Sequence, residues 1–137
     1  MKDIVIAFIK IIESAPILYM LVFLLFFSLL LFLRRRAIVR SSGGPFFAPF
    51  HINRGVFYIH VSLCFSRRMI PLKEIKQITY AIFRGRSGGG SRYAFYIELR
   101  NGKTTPFFFG KSKRNEELVN KLKQNAGKYG FKVHFQR

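Results

Sequence analysis

Pro16 to Leu33 reads PILYMLVFLLFFSLLLFL and is followed at once by Arg34, Arg35 and Arg36. The only polar side chains in the stretch are the Tyr19 and Ser28 hydroxyls. At about 1.5 Å per residue it covers about 27 Å as a helix, close to the roughly 30 Å hydrocarbon core of a bilayer. Each Leu, Ile, Phe or Val favours insertion at mid-bilayer by roughly a few tenths of a kcal/mol, and the terms add along so dense a run. A single transmembrane helix over residues 15–33 is therefore expected, with Ser14 as its N-cap and Pro16 in the first turn, where a missing N–H costs nothing. A cleaved secretory signal would carry a basic leading segment, a shorter apolar run and a small-residue cleavage site, and here three arginines follow instead.

Working outward, the flanking charges set a direction. Arg34, Arg35, Arg36 and Arg40 follow the span, whereas Lys2 and Lys10 before it are matched by Asp3 and Glu13. The positive-inside bias then predicts a single-pass protein of the cell membrane, N-terminus outside and C-terminal domain in the cytoplasm. Residues 1–14, MKDIVIAFIKIIES, suit a short interfacial helix or an extension of the anchor. The whole chain of 137 residues carries a net charge of +18, and the part from Arg34 onward holds 22 of the 24 Lys and Arg but only 4 of the 6 acids. Apolar and cationic residues are thus segregated along the chain. One cysteine, Cys64, excludes an intramolecular disulfide and a four-cysteine zinc site.

Residues 34–50 combine arginines with Ser-Ser-Gly-Gly-Pro, the composition of a flexible linker or entry loop. Beyond them, over residues 51–137, the hydrophobic period becomes two. Phe57, Ile59, Val61, Leu63 and Phe65 fall on one face of a strand over Val56 to Phe65, with Tyr58, His60, Ser62 and Cys64 on the other. Ile78, Tyr80 and Ile82 mark a second strand, and Tyr93, Phe95, Ile97 and Leu99 a third. RGRSGGGSR, Arg84 to Arg92, reads as the long hairpin tip between them, and Asn101-Gly102 as a tight type I′ turn into Lys103 to Phe109. Ser112 caps a helix expected to run to about Ala126, with Leu118, Val119, Leu122 and Ala126 on one stripe and Gly127 as its stop. Phe131, Val133 and Phe135 alternate in a short final strand.

This order of elements resembles the bacterial pleckstrin-homology-like (PH-like) domains of small membrane-tethered proteins. The segments that carry the resemblance are NRGVFYI (Asn53 to Ile59), MIPLKEIKQITY (Met69 to Tyr80), the basic hairpin, YIELRNGK (Tyr96 to Lys103) and the C-terminal helix. It implies an α+β fold in which a single N-terminal transmembrane helix precedes a PH-like antiparallel β sandwich or barrel, one open end of it plugged by the helix. The family has no catalytic or ligand motif to transfer.

The residue inventory argues against an enzyme. After the anchor the acids are Glu74, Glu98, Glu116 and Glu117, of which Glu116 and Glu117 are helix neighbours that do not face each other. The only aspartate, Asp3, lies before the anchor, so no Ser-His-Asp triad is expected. His60 and Cys64, on one face of a continuous strand, would lie about 13 Å apart, too far to share a metal. The glycines of the hairpin are flanked by strands on both sides, unlike a phosphate-binding loop. No catalytic residue, metal or cofactor is expected.

Charge remains. Arg34, Arg35, Arg36, Arg40, Arg84, Arg86 and Arg92 are the expected contacts to anionic lipid headgroups or to a membrane or cytoplasmic protein partner, each close cation contributing about 1 kcal/mol. The chain is thereby read as a non-enzymatic scaffold or accessory protein. Two alternatives belong to other classes. Arginines interleaved with glycine, followed by Tyr93, Phe95 and Tyr96, are compatible with nucleic-acid binding, although the alternation assigns Tyr93 and Phe95 to the core. A small cationic protein with an apolar start is compatible with pore formation, but a span of Leu and Phe has no polar stripe to line a channel.

Overall fold

The computed structural model describes residues 2–86 and 88–137 and, within them, every side chain except that of Ile12. Met1 and Ser87, which belong to the N-terminal segment and the hairpin tip, lie outside the described residues. The chain divides into two units, one ending at Arg34 and the other beginning at Arg35.

In the first unit the backbone is helical from Lys2, the start of α1 (Lys2–Ser42). Ser14 is therefore not an N-cap: its Oγ donates to the Ile11 carbonyl at 3.0 Å, inside the helix. Pro16 is likewise interior. The segment before it is built of Ile, Val, Ala and Phe without a glycine, so helix propagates through it, and Pro16 removes only the bond it would have donated one turn back. α1 is long and apolar enough to cross a membrane, and none of its most apolar window is buried within the protein. Leu25, for instance, is 75% exposed.

The second unit opens on the last two turns of α1. Arg34 to Ser42 is helical, not linker. The reason lies in its side chains: Ile38 and Ser42 are buried, and Arg35 is half-buried, a spacing of three and four that turns one stripe of the helix into the domain. Gly43 ends the helix at φ +68°, its N–H donating to the Val39 carbonyl at 3.0 Å.

Among the described residues, seven strands follow in two sheets. β1 (Phe50–Asn53), β2 (Val56–Ile59) and β3 (Met69–Pro71) form an antiparallel sheet in that order. β4 (Ile75–Phe83), β5 (Arg92–Leu99), β6 (Thr104–Gly110) and β7 (Lys132–Phe135) form the other, in the order β6-β5-β4-β7. β7 runs parallel to β4, so this sheet is mixed rather than wholly antiparallel. α2 (Lys113–Tyr129) lies between β6 and β7 in the chain. The fold is thus α+β.

Turn chemistry departs from expectation in two places. Positive φ at both Arg54 (48°) and Gly55 (75°) makes this dipeptide the type I′ connection, joining β1 to β2. At Asn101-Gly102 only the glycine has positive φ, and the Gly102 N–H reaches the Leu99 carbonyl at 3.0 Å, a three-residue hairpin loop instead. α2 also runs past Gly127 to Gly130, whose φ of +81° supplies the left-handed cap. Tyr129, in that extra turn, stacks on Phe131 at 5.9 Å, which favours carrying the helix one turn further. Its start is as expected, with Ser112 Oγ accepting from the Asn115 N–H at 3.2 Å.

The core joins both sheets and α2. Phe50 of the first sheet has its ring 5.8, 6.4 and 6.0 Å from Phe95, Phe107 and Phe109 of the second. Tyr93, Phe95, Ile97 and Leu99 are buried as the alternation requires, and Val119, Leu122 and Ala126 close the core from α2. Phe107-Phe108-Phe109 resolves by strand alternation, the outer two buried and Phe108 exposed. Pro106 sits in β6, a strand at the margin of its sheet, where a residue without an N–H is tolerated.

Candidate functional site

The arginines singled out by sequence divide by environment. Arg36 and Arg40 are four apart on α1 and both exposed, forming one cationic helix face. Arg34, also exposed, belongs to the first unit. Arg35 is engaged inside the domain: its Nε donates to the Phe46 carbonyl at 2.9 Å and its guanidinium lies 5.2 Å above the Phe46 ring. Burial lowers its pKa from the ordinary arginine value. Arg35 thus holds residues 43–49 against the helix end, a role invisible in the sequence. Arg84, Arg86 and Arg92 are exposed around the β4–β5 hairpin, with Gly85 packed so closely on the Gly89 carbonyl that a Cβ would collide with it.

Beneath the helix end lies a polar cluster that sequence reading missed. His60 and Ser42 are fully buried, with Ser42 Oγ 2.7 Å from His60 Nε2. His60 Nδ1 is 3.0 Å from the Ala48 carbonyl, which can only accept, so Nδ1 carries the proton, and Nε2 faces the Ser42 hydroxyl, for which the Val39 carbonyl at 3.0 Å is a second acceptor. Ser42 Oγ in turn accepts from the Gly44 N–H at 3.1 Å. Desolvation, joined by the charges of His51, Arg35 and Arg68 and opposed by the Ala48 bond, lowers the His60 pKa to about 4. His51 stacks 6.4 Å from His60, and its ring lies so close to Gly44 that a Cβ there would come within 2.4 Å of it. A hydroxyl on an imidazole is half of a nucleophile–base pair, but both members are fully buried and the third partner is a backbone carbonyl. The pair ties the end of α1 to the first sheet.

The expected strand Val56 to Phe65 ends at Ile59. The Ile59 N–H bonds the Arg68 carbonyl at 2.8 Å and the His60 N–H bonds the Pro49 carbonyl at 2.9 Å, so the chain leaves the sheet. From there the faces exchange: His60 and Cys64 are buried, while Leu63 and Phe65, expected inside, are 59% and 87% exposed. Arg68 closes the neck of this loop, donating to the Val61 carbonyl at 2.8 Å. A surface hollow of about 510 Å³ beside it is lined by Leu63, Phe65, Arg92, Pro106 and Phe108 among others.

Two of the four acids of this unit are in ion pairs, Glu74 with Arg67 and Glu98 with Lys76, each at 2.7 Å. Hydrogen bonds from Lys76 and then Gln77 hold the Glu98 carboxyl below the usual carboxylate range. Among the described residues no three His, Cys, Asp or Glu side chains gather as a metal site. Tyr93 and Phe95 are buried, and the half-buried Tyr96 meets Phe108 edge-on at 6.4 Å, so the aromatics after the hairpin offer bases no exposed stacking platform. No family model, curated protein or solved structure matches the chain.

Proposed function

We propose that the chain is a bitopic membrane protein, N-terminus outside, whose basic second unit works without catalysis as a PH-like scaffold or accessory module, contacting anionic lipid headgroups or a protein partner at the cytoplasmic face. The observation that carries this reading is the juxtaposition of a charge-free stretch between Glu13 and Arg34, exposed throughout most of its length, with a unit from Arg35 onward bearing 21 Lys and Arg against 4 acids. Lipid is the medium that covers the first, and juxtamembrane cations gain about 1 kcal/mol each near an anionic leaflet. Two sheets followed by a helix support the PH-like reading, with β7 as an addition after that helix. Arg36, Arg40, Arg84, Arg86 and Arg92 are the contacts; Arg34 assists from the anchor end.

Amide hydrogen exchange on the full chain in nanodiscs tests the headgroup contact. Exchange across residues 84–92 is expected to slow when phosphatidylglycerol replaces part of the phosphatidylcholine, and to return to the neutral-lipid rate in the triple variant Arg84→Ala, Arg86→Ala, Arg92→Ala. The core, which none of the three side chains enters, should stay protected. Equal exchange in both lipids would remove headgroup binding from the function.

A further inference from the structure

The loop between β2 and β3 is built in a way that a water-facing loop is not. Cys64 is buried at 3% exposure and roots its tip, while Leu63 and Phe65 on either side point outward at 59% and 87%. Arg68 and the Ile59–Arg68 backbone bond pin the neck, so the two apolar side chains are held out by a fixed frame. Across the hollow stands Phe108, 53% exposed on β6. Arg92 lines the same hollow, and Lys111 is joined to the hairpin base by its N–H bond to the Ser91 carbonyl at 2.9 Å. Among the described residues no carboxylate lines it.

We propose that Leu63 and Phe65 form a membrane-inserting tip, which enters the headgroup–acyl boundary of the anionic bilayer that carries the anchor, while Arg92 and Lys111 meet the phosphates above it. The inference rests on the membrane reading given above and adds the part of the domain that penetrates. The chemistry of the hollow selects this occupant. Two apolar tips a residue apart, with Arg92 lining the same hollow and Lys111 bonded to the residue before it, match acyl carbon beneath anionic phosphate, which is the arrangement of interfacial membrane binding. Chain connectivity supplies the rest, because the unit begins two residues after Leu33.

The sequence contains no tryptophan, so Phe65→Trp in the full chain places a single reporter at the tip. In vesicles containing phosphatidylglycerol, its emission is expected to move to shorter wavelength and to be largely lost when the acyl chains carry bromine. In phosphatidylcholine vesicles it should stay at the wavelength of exposed indole and resist quenching. Phe23→Trp, within the anchor, is quenched in both and certifies insertion. Leu63→Trp repeats the measurement from the neighbouring position should Phe65→Trp fold poorly. Unquenched tip indole in anionic vesicles overturns the inference, as does equal quenching in neutral ones. A blue shift that persists in detergent and fades on dilution also overturns it, by assigning the tip to a second copy of the chain. If anionic lipid slows exchange at residues 84–92 while the tip indole stays unquenched, the headgroup contact stands and only the insertion fails.

Discussion

Phe50→Ala is expected to destabilise the second unit by about 3–5 kcal/mol, the cost of an aromatic truncation in a packed core. That is a large share of the roughly 5–15 kcal/mol that holds a small domain together. Phe50 is buried at 4% exposure and stacks on Phe57 at 5.2 Å within its own sheet, while also reaching Phe95, Phe107 and Phe109 in the other. Its removal leaves a hole between the sheets that neither can fill alone. The measurement is chemical unfolding of the full chain in nanodiscs, followed by near-ultraviolet circular dichroism of the aromatic core. Phe65→Ala in phosphatidylcholine nanodiscs, where the tip stays out of the lipid, is the control: the ring is 87% exposed, and its loss should move stability by less than about 0.5 kcal/mol. Similar losses for the two variants would mean that the sheets do not share a core.

Acidification from pH 7 to pH 5 is expected to lower the stability of the same unit by about 2 kcal/mol through His60 alone. The folded state holds this imidazole neutral, with a pKa of about 4 against the ordinary 6.5. Its contribution is complete above the unfolded value and disappears as the pH falls toward the folded one, because only the unfolded chain takes up the proton in between. A domain of this size should lose about 10 °C in unfolding temperature over that window. The window lies above the ordinary range of the glutamates, and the Glu98 carboxyl is held lower still, so its ion pair with Lys76 survives. His60→Gln should be less stable at pH 7 and should flatten the pH dependence. An unchanged slope in that variant would assign the effect to another group.

Local pattern made much of this fold legible. The charge-free run ending at Leu33 and the inward set Tyr93, Phe95, Ile97 and Leu99 each repeat a physical period within a few residues, and the structure keeps both. Long-range bonds were not legible. Val61 to Phe65 continues the alternation of β2 without a break, and only the pairing of Ile59 with Arg68 and of His60 with Pro49 ends the strand and exchanges its faces. The Ser42–His60 bond joins residues 18 apart, across a turn whose Ser-Ser-Gly-Gly-Pro composition reads as linker. Among the arginines, exposure of Arg84, Arg86 and Arg92 followed from a glycine-rich hairpin. Arg35 could not be separated from Arg36 without knowing that the Phe46 carbonyl lies in reach.

Pro106 has a bearing on life in two dimensions. Chains tethered to a bilayer meet one another at high local concentration, and the unpaired border of a β-sheet invites a neighbour to zip onto it. β6 forms one such border, and a proline midway along it offers no N–H for an incoming strand. On the proposed membrane-tethered reading, that side of the sheet is a poor template for edge-to-edge pairing between crowded chains.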